Sequence, residues 1–191
     1  MVKQNRLLLK SVMDAEGNKS KRVEDFDMLH VTPPQSAPDF IKKSPLANES
    51  GWIDVNHFTL QHNQFDNIFG LGDAAATPNA KTAAAVRKQV PVVVKNILKL
   101  LKHQTVVEDY DGYGSCPLTT SKGTVMLAEF SYGGKVTPSF PFLDPRSNSR
   151  LWWIGKLIGF PWLYWQVMIK GYDFDIPHKA TYAEKLVDKD T

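Results

Sequence analysis

The sequence predicts an α/β fold, and three segments support this prediction. Residues 67–89 read as a short apolar strand, a turn at Gly72-Asp73 and the start of a helix. The helix is expected to run from Lys81 to His103, because apolar residues recur three and four positions apart on one face. That face contains Val90, Val93, Val94, Ile97, Leu98 and Leu101. Residues 125–132 form a further strand-like run, and a sheet covered by an amphipathic helix is typical of this fold class.

The segment before residue 35 is predicted to form strands. Residues 6–12 and 22–25 flank a Gly/Asn turn, which is typical of an antiparallel hairpin. Residues 26–31 read as a buried strand that ends at the two prolines after it, since proline cannot continue a central ladder. His30 lies in this apolar run and is interpreted as a hydrogen-bonded core residue.

A second strand-like pattern follows a polar loop and covers residues 52–60 and 65–71. Asp54, His57 and His62 lie in this region at irregular spacing, which does not match the geometry of a metal site. These three side chains are therefore assigned to surface turns, and no metal site is predicted.

Two helices are predicted near the C-terminus. Asp144-Pro145 supplies an N-cap and a proline at the first helical position, so a helix is expected through about Gly159. Pro161 begins a second, shorter helix that ends at Lys170-Gly171.

Composition restricts the class of protein. A chain of 191 residues with 42% hydrophobic content can bury a core, and a net charge of +3 gives no support for a nucleic-acid partner. The single cysteine excludes an intrachain disulfide and a paired-cysteine metal site. The composition becomes aromatic and glycine-rich after Gln104, so two domains are predicted, 1–104 and 105–191. Pro91 is expected to kink the long helix.

Four segments match one family in order and at plausible spacing. They are MLHVTPPQ at 28–35, YDGYGSCPL at 110–118, VMLAEFSYG at 125–133 and FPWLYWQVMIKGY at 160–172. In this order they resemble the C-terminal half of sulfide:quinone oxidoreductases. The resemblance implies a truncated two-dinucleotide-binding-domain (Rossmann-like) flavoprotein, with the remnant of that region in residues 1–104 and a C-terminal α+β membrane-associating domain in residues 105–191.

The resemblance also implies an enzyme and its site. Sulfide would be oxidised to sulfane sulfur by a cysteine pair and FAD, and the electrons would pass to ubiquinone or another membrane quinone. Cys116 is then one of the two catalytic cysteines, and the alternative for it is an inert buried thiol. The residues predicted to bind FAD are Gly72, Asp73, Lys81, Thr82, Ala83 and Ala84. The alternative for this second group is an ordinary turn that leads into a helix.

Two features of the family are missing from the sequence. A G-x-G-x-x-G turn, which lets the backbone approach a pyrophosphate, does not occur, and neither does a second cysteine. The chain is therefore expected to be a C-terminal portion of such an enzyme and to be inactive alone.

The segment 144–172 has the composition of a membrane interface, because its tryptophans and tyrosine are accompanied by basic residues, namely Arg146, Arg150, Lys156 and Lys170. Lys156 and Pro161 interrupt the apolar run, so amphipathic helices that lie on the bilayer are predicted rather than a spanning helix. A monotopic protein of a bacterial cytoplasmic or mitochondrial inner membrane is expected. Core or dimer-interface helices are the alternative, and a homo-oligomer is left open.

Two rival functions remain at this point. A related NADH:quinone-type membrane flavoprotein would share the Gly-Asp turn and the membrane helices but would have no use for Cys116. A non-catalytic membrane-surface fragment would need neither the flavin nor the thiol. Stoichiometric bound FAD would exclude the second rival. The acceptor of the sulfane sulfur is not predicted.

Overall fold

The computed structural model describes residues 6–13, 19–107, 109–140 and 144–172. The chain divides into two compact units, Met1–Gln35 and Ser36–Thr191. Within the described residues, strands pair only as two antiparallel two-stranded sheets, one in each unit. The chain is thus mixed helix and strand, compatible with the predicted α/β class, while the Rossmann-like region and the boundary after residue 104 stay predictions.

The first unit contains the predicted hairpin. Strand β1 (Arg6–Met13) pairs with β2 (Lys19–Asp25), and the register shifts between Leu9 and Val12. The predicted buried strand at 26–31 was wrong, since this segment has no strand and Met28 is 84% exposed. His30 is exposed as well and is not a core residue. The physical reason is that β1 and β2 pair only with each other, so the apolar run has no sheet to join.

The second unit begins with irregular structure. A short helix α1 (Asp39–Lys42) precedes a region where regular strands were predicted at 52–60 and 65–71. Only isolated bridges form there: Ala47 with Ile53, Ile53 with Ala75, Val55 with His62, and Gln61 with Phe69. The Asn56 side chain accepts from the backbone N–H groups of Phe58 and Thr59, and these local bonds replace a strand ladder.

The long helix α2 (Ala83–Leu101) begins two residues after the predicted start at Lys81 and continues through Pro91. Its buried residues are Ala85, Gln89, Val92, Val93 and Asn96. The predicted buried face was therefore wrong apart from Val93, because Val90, Val94, Ile97, Leu98 and Leu101 are exposed. The side-chain amides of Gln89 and Asn96 lie on the buried face and hydrogen-bond the surrounding loops. The spacing of apolar residues alone therefore identified the wrong face of α2 as buried.

Asn96 connects three parts of the second unit. It is completely buried, and its Nδ2 donates to the carbonyl oxygens of Thr59 at 2.9 Å and Val107 at 3.0 Å. Its Oδ1 accepts from Val107 N at 2.8 Å. The nearby hydrophobic cluster joins Leu60, Val92, Val93 and Tyr110, with Phe69, Leu71 and Tyr132 packed against it.

A hairpin and a helical rod complete the second unit. Strand β3 (Gly114–Ser121) pairs with β4 (Thr124–Phe130), which confirms the strand predicted near 125–132. Helix α3 (Arg150–Ile154), a π-helical segment (Gly155–Gly159) and α4 (Phe160–Gln166) follow one another without a break, so the predicted pair is one rod.

The start of this rod differs from the prediction. Ser149, not Asp144, is the N-cap, and its hydroxyl accepts from Leu151 N and Trp152 N. Backbone bonds between Ser149 and Val125 of β4 fix that position, whereas Asp144 accepts from Arg146 N in a separate turn. The end of the rod also differs from the prediction, because α4 ends at Gln166 and Gly171, in the left-handed region, follows a separate 3₁₀ turn (Met168–Lys170).

Candidate functional site

The N-terminus of α2 is open to a ligand at two backbone positions. Thr82 caps the helix: its Oγ1 accepts from Ala85 N at 3.2 Å, and its carbonyl accepts from Val86 N. Within the described residues the N–H groups of Ala83 and Ala84 have no acceptor. Free donors at the positive end of a helix favour an electron-rich or anionic group.

The Gly72-Asp73 turn lies against the same helix. Gly72 adopts a φ of +69°, and its N–H donates to the buried Gln89 Oε1 at 2.7 Å. A Cβ at Gly72 would lie 3.3 Å from Val86 Cγ2, so glycine also permits this close approach. The carboxylate of Asp73 is exposed. The turn is thereby fixed to α2 while its acceptor remains accessible.

Lys81 is held by the protein rather than extended into solvent. Its Nζ donates to Ala75 O at 2.7 Å and lies 4.1 Å from the centroid of the Trp52 ring. Burial lowers the pKa of Lys81, and the charge of Asp73 opposes that shift. The Lys81 ammonium group, which was predicted to lie near the flavin, thus already binds the Ala75 carbonyl and the Trp52 ring.

Cys116 lies in strand β3, where a loop around this cysteine was the expectation from the glycines and proline beside it. The same strand begins against α2: a Cβ at Gly114 would lie 3.6 Å from Ala80 O and from Thr82 Oγ1. Since Cys116 is two residues further on, it shares this face of the strand and follows Gly114 by roughly 7 Å. The thiol is half-buried. The structure therefore brings the strand that contains Cys116 close to the helix that is predicted to bind the flavin.

Gly112 allows a close stack just before this strand. Its φ is +82°, and a Cβ there would lie 2.1 Å from Tyr132 Cδ1. Tyr132 is itself fixed, because its hydroxyl donates to His57 O at 2.7 Å and its ring contacts Tyr110 edge-on. The aromatic ring that packs against Gly112 is therefore that of Tyr132.

A buried polar network supports the cysteine strand, and sequence reasoning missed it. Glu129 on β4 is 5% exposed, and its Oε1 accepts from Tyr113 OH at 2.6 Å. Ser139 contributes both its hydroxyl and its N–H to the same carboxylate. Burial, reinforced by Glu129, raises the pKa of Tyr113 to about 12. The regular alternation of β4 could have suggested that Glu129 shares the face of Val125 and Leu127.

Asn79 supplies an unsatisfied acceptor close to the helix start. Its Nδ2 donates to Tyr110 OH at 2.7 Å and to Ala80 O at 3.1 Å. Its Oδ1 is buried and has no hydrogen-bond partner among the residues that the structure describes. A buried amide oxygen normally accepts a hydrogen bond. The Asn79 Oδ1 is therefore suited to accept one from a bound group.

His62 is buried rather than at the surface, so its assignment was wrong. Its Nδ1 accepts from Gln64 N at 3.0 Å and its Nε2 lies 3.1 Å from Leu46 O, which gives the ring a structural role. His57 is exposed, as predicted. No group of three metal-ligating side chains occurs in the part of the chain that the structure describes.

The rod presents an apolar surface to solvent. The exposed large side chains are Leu151, Ile154, Leu157, Ile158, Trp162, Tyr164 and Trp165. Trp152 and Trp153 are half-buried, and Trp152 packs on Phe140. Lys156 is turned to the hairpin, where it donates to Pro117 O and Thr119 Oγ1. Across the described residues, no helix combines the length and apolarity needed to cross a membrane.

Most of the chain is similar in sequence to a class of mitochondrial oxidoreductases. No protein-family model matches it. A mouse protein is 42% identical over 161 residues, which cover 84% of this chain and 35% of that protein. Proteins of Dictyostelium discoideum (41% over 157 residues, 82% of this chain and 34% of the relative) and Schizosaccharomyces pombe (38% over 149 residues, 76% and 32%) are also similar.

All three relatives are mitochondrial sulfide:quinone oxidoreductases by name. The resemblance of this chain to that family is therefore confirmed. The chain spans about a third of the length of the curated relatives that it matches.

A solved structure adds a different context. One chain in the cryo-EM structure of the Tetrahymena thermophila mitochondrial ATP synthase, an F1Fo composite tetramer, is 40% identical with a TM-score of 0.52. The match covers 61% of this chain and 28% of that chain.

Proposed function

We propose that this chain forms the part of an FAD-dependent sulfide:quinone oxidoreductase in which a cysteine strand lies beside the helix that binds the flavin. One observation carries the proposal: Gly114, two residues before Cys116, lies against Ala80 and Thr82 at the start of α2. The similarity to named sulfide:quinone oxidoreductases supports the same assignment. Residues 1–104 would belong to the dinucleotide-binding region and 105–191 to the C-terminal domain.

The residues at the start of α2 fit a flavin. The free N–H groups of Ala83 and Ala84 suit the electron-accepting pyrimidine edge, and Asp73 offers an exposed acceptor for ribityl hydroxyls. The unsatisfied Oδ1 of Asn79 adds a second acceptor nearby. When bound, FAD would accept the electron pair released by sulfide and deliver it to a quinone. Lys81 would contribute charge from its fixed position above Trp52.

Cys116 would supply the nucleophile, since a thiolate is the reactive form of cysteine. Antiparallel pairing with Ala128 and the Glu129 network behind the strand would hold its backbone in place. Sulfide would be oxidised to sulfane sulfur on the cysteine pair, and an acceptor would then remove that sulfur. The second cysteine of the pair would come from polypeptide beyond this sequence, because Cys116 is the only one here.

Membrane association would bring a lipid-soluble quinone to the site. The exposed apolar side chains of the rod, with Trp162 and Trp165 each 60% exposed, suit the interface of one leaflet. A monotopic protein of the mitochondrial inner membrane or a bacterial cytoplasmic membrane follows from this proposal.

A non-catalytic role in a membrane assembly is the second candidate. The observation in its favour is the 40% identity to a chain in a mitochondrial ATP synthase structure. Such a role would need the apolar rod but neither bound FAD nor a reactive thiol. Flavin content therefore separates the two candidates.

A chimera tests the proposed function. In the mouse relative, the matched 161-residue segment is replaced by the corresponding residues of this chain. We expect the chimera to bind FAD and to reduce quinone with sulfide. A folded chimera without flavin or turnover would contradict the proposal and favour the assembly role.

Two variants of the chimera separate chemistry from binding. Cys116→Ser should abolish flavin reduction by sulfide but retain FAD. Asp73→Ala should weaken FAD binding about tenfold to a hundredfold, because a hydrogen bond to a charged group contributes roughly 1.5–3 kcal/mol. Flavin loss in Cys116→Ser would instead assign that thiol a structural role.

A further inference from the structure

An apolar cleft of about 650 Å³ separates α2 from the C-terminal end of the rod. Val90, Val94 and Leu98 form one wall, and Leu163, Tyr164 and Val167 face them. The volume is within the range of roughly 300–1,000 Å³ typical of small-molecule sites. The α2 wall is the same exposed apolar face that was predicted to lie against a sheet.

Basic side chains lie along this cleft, with Arg87 near the start of α2 and three lysines towards its end. Lys95, Lys99 and Lys102 line it, and the first of these is paired with Asp109. Within the described residues Lys99 and Lys102 have no acidic partner. An occupant with an apolar body and an anionic end would match both the walls and these lysines.

The cleft is also continuous with the exposed surface of the rod. Tyr164 lines the cleft and belongs to the exposed apolar set, and Ile169 and Tyr172 extend the lining and are themselves 52% and 67% exposed. A chain held in a membrane leaflet could therefore enter from the side without crossing water.

We propose that the cleft binds one acyl chain of an anionic phospholipid, whose headgroup contacts Lys99 and Lys102. This inference rests on the membrane association proposed above. The charge of Lys99 and Lys102 distinguishes this occupant from an uncharged isoprenoid or detergent chain, which would gain nothing from the two lysines.

Binding of short amphiphiles to the full chain tests the proposal without flavin, sulfide or quinone. Dodecyl phosphate and the uncharged dodecyl maltoside are titrated below their micelle-forming concentrations by calorimetry. We expect one equivalent of dodecyl phosphate to bind, and dodecyl maltoside to bind much more weakly. Changing Lys99 or Lys102 to Gln should weaken dodecyl phosphate about fivefold for each charge.

A matched pair of variants locates the site. Leu98→Glu places a charge in the cleft and should weaken dodecyl phosphate at least tenfold. Leu101→Glu places the same charge on α2 outside the lining, at a side chain already 74% exposed, and should leave binding unchanged. Circular dichroism confirms that both variants keep their helix content.

Three results would overturn the proposal: equal binding of the two amphiphiles, binding by Leu98→Glu at wild-type strength, or no binding of either. Sedimentation of the same samples examines a second copy of the chain as the occupant. A dimer that both glutamate variants dissociate would assign the face to self-association. Vesicle binding through the rod tests the membrane proposal separately, so the two can fail independently.

Discussion

Glu129 shows how much a single buried charge depends on its neighbours. An unpaired carboxylate in a protein interior costs several kcal/mol, yet this one accepts from Tyr113 OH, Ser139 Oγ and Ser139 N. Hydrogen bonds to a charged acceptor are the stronger kind and offset that cost. The network joins the segment before β3 to the segment after β4 through Glu129, which follows Ala128, the residue paired with Cys116.

Gly112 should tolerate no side chain. Gly112→Ala would put a Cβ about 2 Å from the Tyr132 ring, and overpacking of this kind costs roughly 1–3 kcal/mol beyond the cost of positive φ. Gly123→Ala is the matched control, since Gly123 has φ +87° but no atom within 4 Å of its added Cβ. Urea denaturation should show a larger loss for Gly112→Ala. Equal losses would mean that Tyr132 moves aside freely.

Alkaline pH should unfold the chain partly through Tyr113. Its pKa rises from 10.0 to about 12 on folding, so the stabilisation is complete below pH 10 and is lost as the pH rises through 12. Burial raises the pKa of Tyr110 and Tyr132 in the same direction. Between pH 10 and 12 the free energy of unfolding should fall in both proteins. The fall should be smaller in Tyr113→Phe than in the wild type, by about 2 kcal/mol. Identical slopes would contradict the assignment.

At the scale of elements, the start of α2 was predicted to within two residues, whereas the helix start at Asp144 and the buried face of α2 were wrong. Thr82 and Gly171 mark the ends of helical segments through local chemistry that a sequence displays directly. The buried side of α2 depends on Gln89 and Asn96, whose partners lie in distant loops. In the candidate site, the residue types were predictable, but the contact of Gly114 with Thr82 was not.

Ser149 provides the test of the corrected helix start. Ser149→Ala removes the acceptor for Leu151 N and Trp152 N and should cost about 1 kcal/mol. Asp144→Ala should not shorten the rod, because Asp144 lies in the preceding turn. Helix content by circular dichroism and urea denaturation measure both variants. A larger loss of helix content in Asp144→Ala would restore the original N-cap assignment.

At the scale of the whole molecule, the second unit combines the candidate site with a rod that exposes large apolar side chains. Two of the basic side chains expected to bind anionic lipid already have protein partners, since Arg146 pairs with Asp144 and Lys156 donates to the hairpin. Arg150 and Lys170 remain exposed. Attraction to a membrane should therefore depend more on aromatic side chains and less on salt than the composition alone suggests.

Vesicles of phosphatidylcholine and phosphatidylglycerol test this expectation. The wild type should bind with blue-shifted tryptophan fluorescence, and Trp162→Glu with Trp165→Glu should release the protein in folded form, because both side chains are 60% exposed. Trp152→Glu should instead destabilise the fold, since Trp152 packs on Phe140. If the wild type does not bind vesicles, the result would favour a protein partner for the rod.

The hydrogen bonds of Asn96 also set an order of events during synthesis. Thr59 precedes Asn96 by 37 residues and Val107 follows it by 11, and closing such loops is entropically costly before a helix exists to anchor them. The region around Thr59 forms backbone hydrogen bonds of its own, but its link to the segment after α2 passes through Asn96, so we expect its packing to be completed only after α2 has left the ribosome. A nascent chain that ends before Asn96 would lack the donor to the Thr59 carbonyl.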